Sequence, residues 1–127
     1  ADKYYARPGQ SEHNSALAVD VTINNENFNE IENSEHYDWL LKHIADYGFI
    51  LRYPEDKVDV TGYQYESWHL RYVGKDIAKE IVKQGLTLDE YIARKDAVHQ
   101  RIRKKKHRKR IRKMKIQRYP LSESEII

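Results

Sequence analysis

Past Arg94 the chain has too few apolar residues to bury a helix. Ile92, Val98, Ile102 and Ile111 are sparse, and residues 101–115 read Arg-Ile-Arg-Lys-Lys-Lys-His-Arg-Lys-Arg-Ile-Arg-Lys-Met-Lys. A segment this polar cannot line a core. A packed fold is therefore expected from residues 1–93, with residues 94–127 as a basic helical or disordered tail. Charge divides at the same place. Residues 1–93 hold 9 Lys+Arg against 17 Asp+Glu, a net −8, and residues 94–127 hold 14 against 3, a net +11. Such asymmetry speaks of partners rather than of fold. With 127 residues in all, one domain is expected, large enough to bury roughly two-thirds of its unfolded surface.

Several classes are excluded. No apolar run approaches the ~18 residues of a membrane span. There is no cysteine, hence no disulfide, thiolate metal site or cysteine nucleophile. The sequence begins at Ala1 without a charged-then-apolar leader, as expected of a processed chain or a fragment.

Along residues 1–93 the local signals alternate. Pro8, Gly9, Ser11, Asn14 and Ser15 mark residues 1–17 as loop. The β-branched residues of 18–23 predict a strand, and the Asn- and Glu-rich stretch 24–34 an exposed loop. Trp39, Leu40, Ile44 and Tyr47 fall on one face of a helix near 35–47 that Gly48 ends. Residues 49–53 predict a strand stopped by Pro54, residues 55–62 a polar turn, and residues 63–73 an aromatic-rich strand. A helix over 76–84 closes at Gly85. Thr87 and Glu90 have capping-box spacing for another, near 87–100.

Two of the six histidines have informative neighbours. His13 lies seven residues before Asp20, which falls on a predicted strand, and His69 lies in Glu66-Ser67-Trp68-His69. Two histidines and an aspartate leave a fourth position open, the arrangement of catalytic zinc. Glu66, three residues before His69, can reach the same cleft if the segment is extended or bent. There it can take the proton of a zinc-bound water and return it to a leaving amine. By residue type alone, Asp20 is equally a polar strand end and His69 an ordinary strand histidine. The helical His-Glu-x-x-His signature is absent.

Longer motifs add to this. Ser11-x-His13-x-x-Ala16-x-Ala18-x-Asp20 resembles the Ser-x-His-x-x-Gly-x-Ala-x-Asp motif of VanY-type D,D- and L,D-carboxypeptidases. Glu66-Ser67-Trp68-His69-Leu70-Arg71-Tyr72-Val73-Gly74 resembles their Glu-Pro-Trp-His-x-Arg-Tyr-Val-Gly motif. Between them, Tyr47-Gly48-Phe49-Ile50-Leu51-Arg52-Tyr53-Pro54 is similar to the family's Tyr-Gly-Phe-x-x-Arg-Tyr-Pro, and residues 85–91 to its closing segment. The resemblance covers about residues 6–93.

The resemblance implies an α+β fold in which a small antiparallel sheet carries a zinc site with helices packed on it. It implies a zinc carboxypeptidase of D,D or L,D type that removes the C-terminal D-amino acid from peptidoglycan stem peptides in the bacterial cell envelope. His13, Asp20 and His69 would bind Zn2+, and Glu66 would be the general base. Ser11 and Trp68 would line the substrate pocket, with Tyr53 as a pocket tyrosine. Arg71 would either support the site or contact a carboxylate. Ala16 replaces a motif glycine, which adds strain of about 1 kcal/mol if the position needs φ > 0. The family's substrate carboxylate is held by an upstream Arg and Gln segment. The sequence begins just before the first motif, so that segment is expected to be missing, with Arg7 or Arg52 as candidate substitutes. Readings from other classes are a non-catalytic zinc-containing cell-wall module, and binding of a polyanion (teichoic acid, anionic lipid or nucleic acid) by the basic tail. Apart from Tyr119 the tail has no aromatic residue, so base stacking has little support.

Overall fold

The computed structural model describes residues 6–24 and 27–118. The chain divides into two compact units, Ala1–Tyr91 and Ile92–Ile127. The first is built on a three-stranded sheet of β1 (Ala18–Asp20), β2 (Phe49–Tyr53) and β3 (Glu66–Tyr72). Its order is β1-β3-β2 and both pairings are antiparallel, the small antiparallel sheet that the motifs led us to expect. The helices are α1 (Tyr37–His43), α2 (Val58–Thr61), α3 (Lys75–Gln84) and α4 (Leu88–Arg118), with short 3₁₀ segments between them.

The core forms where α3 meets β2. Ala45, Ile50, Ala78 and Ile81 are buried together, with Ile77, Leu86 and Tyr91 packed around them. Gly85 ends α3 in the left-handed region at φ +62, and the Leu86 amide returns to the Ile81 carbonyl, a Schellman closure. The capping box then forms as its spacing predicted. Thr87 Oγ1 accepts from the Glu90 amide at 3.1 Å, and Glu90 accepts from the Thr87 amide at 2.8 Å. Gly48 joins the 3₁₀ turn Ile44–Tyr47 to β2 at φ +89, and an added Cβ would lie 2.7 Å from the Tyr72 ring.

Three local expectations are corrected. Within 24–34, Phe28–Asn33 forms two 3₁₀ turns joined by a kink at Glu30, the first capped by the Asn27 side chain, and Ile31 is fully buried. One apolar side chain anchors an otherwise polar segment, too weak a signal to read from composition. The expected helix face at 35–47 is not one face. Ile44 and Tyr37 are buried, but Trp39 and Tyr47 are exposed. The helix tightens to 3₁₀ at Ile44, and Trp39 stacks on His43 with ring centroids 4.3 Å apart rather than on the core. The polar turn at 55–62 contains a 3₁₀ turn and α2.

In the second unit α4 continues as helix to Arg118, well past residue 100, and its side chains from Ile92 to Gln117 are exposed. Tyr119 and the rest of the expected tail lie outside the described residues.

Candidate metal centre

β1 and β3 are paired so that Asp20 stands directly opposite His69. This register brings together a carboxylate and an imidazole that are far apart in sequence. His13 reaches the same point from a 3₁₀ turn over Glu12–Ser15. Ser11 caps that turn, its Oγ accepting from the His13 amide at 3.3 Å. Ala16 closes it at φ +57, ψ +20. The motif position therefore does need the left-handed region that glycine occupies freely.

His13 Nε2 lies 3.3 Å from Asp20 Oδ1, and His69 Nδ1 lies 3.6 Å from the same oxygen. One ligand atom from each of the three lies within 4.8 Å of the others. Two ligands at zinc bond lengths and a tetrahedral angle stand about 3.3 Å apart, and a nitrogen–oxygen–nitrogen set suits that ion. The donor set thus fits a zinc ion with small adjustment. Glu66 Oε2 is 3.2 Å from His69 Nδ1. The reach depends on an irregularity in the sheet. Leu51 pairs with Leu70 and Tyr53 with Glu66, so β3 advances four residues where β2 advances two. The irregularity breaks the alternation that would set Glu66 and His69 on opposite faces.

These groups open into a cavity of about 710 Å³ lined by Ser11, Glu12, His13, Asp20, Tyr53, Glu66, Trp68 and His69, among others. Residues 1–75 match the family described as VanY, D-alanyl-D-alanine carboxypeptidase. The chain belongs to the VanY family. It is 47% identical over 92 residues to a D-alanyl-D-alanine carboxypeptidase of Enterococcus faecalis (strain ATCC 700802 / V583), a match covering 72% of this chain and 33% of that protein. Among solved structures, the LD-carboxypeptidase LdcB aligns at TM-score 0.68 and 44% identity, over 72% of this chain and 44% of that one. A mutant of the vancomycin resistance D,D-pentapeptidase VanY from a VanB-type cassette, in complex with Zn(II), aligns at TM-score 0.62 and 43% identity, over 72% and 49%. The chain therefore spans about a third of this curated relative and less than half of each solved chain.

Within this VanY-family chain, Tyr53 is buried, stacks on Tyr63 with ring centroids 4.7 Å apart, and lies 4.9 Å from the His69 ring. Burial and the nearby Glu12 carboxylate push its hydroxyl well above the usual phenol range, so it stays protonated. Trp68 lines the cavity and meets Phe28 edge to face. Ser67, where the family motif has proline, is fully buried and donates its hydroxyl to Glu32. Arg71 is not among the lining residues. Its Nη1 pairs with Glu12 at 2.9 Å.

Arg52, a candidate for holding a substrate carboxylate, has its nitrogens engaged already. Nε donates to Glu12 at 2.8 Å, while Nη1 and Nη2 contact Asp89 at 2.6 and 3.3 Å. Burial leaves this guanidinium, which lines the cavity, paired with two carboxylates of its own chain. Arg7, the other candidate, is exposed and is not among the lining residues.

Glu12 is the residue that motif reading missed. It occupies a position that the first motif leaves unspecified, between Ser11 and His13, and only its place next to His13 hinted at a role. It sits between Arg52, Arg71 and His69. Burial alone would raise its pKa, but hydrogen bonds from His69, Arg52 and Arg71 hold it at about 2. Burial likewise opposes the imidazolium of His69. Contacts with Glu12, Glu66 and Asp20 outweigh it and carry the group up to about 9.

Proposed function

We propose that this chain carries the zinc site of a metallocarboxypeptidase that removes the C-terminal D-amino acid from peptidoglycan stem peptides at the bacterial cell envelope. His13, Asp20 and His69 are the ligands and Glu66 is the general base. The observation that carries this reading is the pairing of Asp20 with His69 across the sheet, with Glu66 3.2 Å from the same imidazole and all three lining one cavity. A zinc ion held there would polarise the scissile carbonyl and stabilise the developing oxyanion.

The protein's own groups do the rest. Glu66 accepts a proton from the attacking water as its oxygen bonds to the carbonyl carbon. The same carboxyl then returns the proton to the amide nitrogen as the C–N bond breaks, releasing a free amino acid and a peptide shortened by one residue. Trp68, Phe28 and the Tyr53–Tyr63 stack line the cavity with aromatic rings, and Ser11 adds a polar edge. The relatives' names include both D,D and L,D activities, so both substrate classes belong in the assay.

The test is Glu66→Gln. Zinc content should stay at one per chain while turnover of D-Ala-D-Ala and L,D-terminated stem peptides falls by roughly 10²–10⁴. His69→Ala should lose the metal. Undiminished turnover in Glu66→Gln would remove Glu66 from the base role. A wild-type chain that holds zinc but cleaves neither substrate would leave a non-catalytic cell-wall module instead.

A second reading concerns α4. Arg101, Lys104, Lys105, Arg108, Lys109 and Arg112 recur at three- and four-residue steps and share one side of the helix. They rise about 17 Å along its axis, and no acidic residue lies between Arg101 and Arg118. Such a stripe suits a linear polyanion such as teichoic acid or nucleic acid. Ile102, Ile111, Met114 and Ile116 are scattered around the helix, which offers no apolar face for insertion into a lipid layer. Binding to a polyphosphate chain should weaken steeply with salt, and reversing Lys104, Arg108 and Arg112 to Glu should abolish it. Salt-independent binding would reject the stripe.

A further inference from the structure

We propose that Glu12 is a positioning residue for His69. It holds the ring by Nε2 so that Nδ1 is the nitrogen presented to Asp20, His13 and Glu66. This rests on the metal-site reading above and adds to it a residue outside the ligand set.

Glu12 Oε2 faces His69 Nε2 at 3.5 Å. Both atoms are buried, and neither has another hydrogen-bond partner. Two buried polar atoms 3.5 Å apart with no other partner are stabilised by sharing a proton, because the alternative is an unmet desolvation penalty on each. The opposite edge of the ring is already assigned, with Nδ1 3.2 Å from Glu66 and 3.6 Å from Asp20. A proton kept on Nε2 leaves the Nδ1 lone pair free, and a carboxylate on the far nitrogen raises its basicity as a ligand.

Glu12 is itself anchored. Its Oε1 accepts from Arg52 Nε at 2.8 Å and Arg71 Nη1 at 2.9 Å. Arg52 is braced in turn by Asp89 in the first turn of α4. The carboxylate is thus fixed from β2, β3 and α4 before it meets the imidazole. With Oε1 fully engaged, only Oε2 is left to turn toward His69.

The experiment uses the full chain labelled with ¹⁵N at histidine. In the metal-free protein at a pH where the His69 ring is neutral, the proton should reside on Nε2. On adding zinc the shift change should fall on Nδ1, with the Nε2 proton retained. In Glu12→Gln the metal-free ring should populate both tautomers, and zinc affinity by chelator competition should fall by roughly 10–100-fold. Thermal melting of the variant separates this from loss of fold. Asp89→Asn, which loosens the brace and leaves Glu12 in place, should keep Nε2–H and lose less affinity. A wild-type neutral ring protonated on Nδ1, or zinc on Nε2, overturns the proposal. A chain that takes up no zinc yet keeps Nε2–H supports the positioning and overturns the metal reading, so the two fail separately.

Discussion

Replacing Ala16 with glycine should stabilise this protein. Ala16 holds φ +57 and ψ +20 at the end of the turn that carries His13. The left-handed region brings Cβ too close to the following carbonyl oxygen, at roughly 1–2 kcal/mol for an L-residue. Glycine escapes that clash but gains freedom in the unfolded chain, which returns about 0.4–1 kcal/mol. The Ala16 methyl is exposed, so little burial is lost with it. The bond from the Ala16 amide to the His13 carbonyl, 3.1 Å, is unaffected. The net expectation is a gain of about 0.5–1 kcal/mol. For a folded unit of this size that raises Tm by roughly 2–8 °C. Thermal unfolding of the metal-free chain, followed by near-ultraviolet circular dichroism of its tryptophans, measures it. An internal control is available. Asn24 also has positive φ, +51, but asparagine tolerates that region, so Asn24→Gly should change Tm by less. A lower Tm for Ala16→Gly, or equal shifts at both positions, would refute the strain assignment.

Other perturbations have equally definite signs. Gly48→Ala should destabilise by more than about 2 kcal/mol in urea unfolding, since its Cβ would meet the Tyr72 ring at 2.7 Å and the backbone is at φ +89. Arg52→Met should cost about 1.5–3 kcal/mol, since it removes hydrogen bonds to two carboxylates while Glu12 keeps Arg71 and Asp89 is partly exposed; a cost under about 0.5 kcal/mol in the same assay would mean the pairs contribute little. The pH dependence follows from His69, whose folded pKa of about 9 lies above the ordinary 6.5. Its contribution is complete below pH 6.5 and is lost as pH rises through 9, so metal-free stability should decline over that window in denaturant titrations at stepped pH. Zinc must displace the same proton, so its apparent affinity should rise up to tenfold per unit over that range. Glu12, held at about 2, works in the opposite direction. Its contribution is present above pH 4.5 and is lost as pH falls toward 2.

Much of the site was legible because its signals are local or consist of spaced residue types. His13 and Asp20 share one short motif, and Glu66 and His69 another. The turn at Gly48 and the Thr87–Glu90 box were read from residues within a few positions of each other. Ile31 was not legible, because a single apolar side chain among asparagines and glutamates carries no period. Nor was the exposure of Trp39 and Tyr47, since apolar spacing groups side chains on one side of a helix without saying which of them meet the core. Glu12 was passed over for a different reason. Its significance lies wholly in what surrounds it, and Arg52, Arg71 and His69 all come from strands much later in the chain.

The sequence alone settles which chemistries are available: nitrogen and oxygen ligands without thiolates, a carboxylate near one of them, an acidic body and a basic helix. These depend only on residue type and on spacing within a few positions, where backbone geometry is stiff and short-ranged. Tertiary structure decides the pairing. Strand register sets Asp20 against His69, extra residues in β3 turn Glu66 toward that imidazole, and burial forces Glu12 and Arg52 to find partners. Those outcomes depend on which distant segments exclude water together, and a one-residue slip between β1 and β3 would send the same ligands to opposite faces of the sheet.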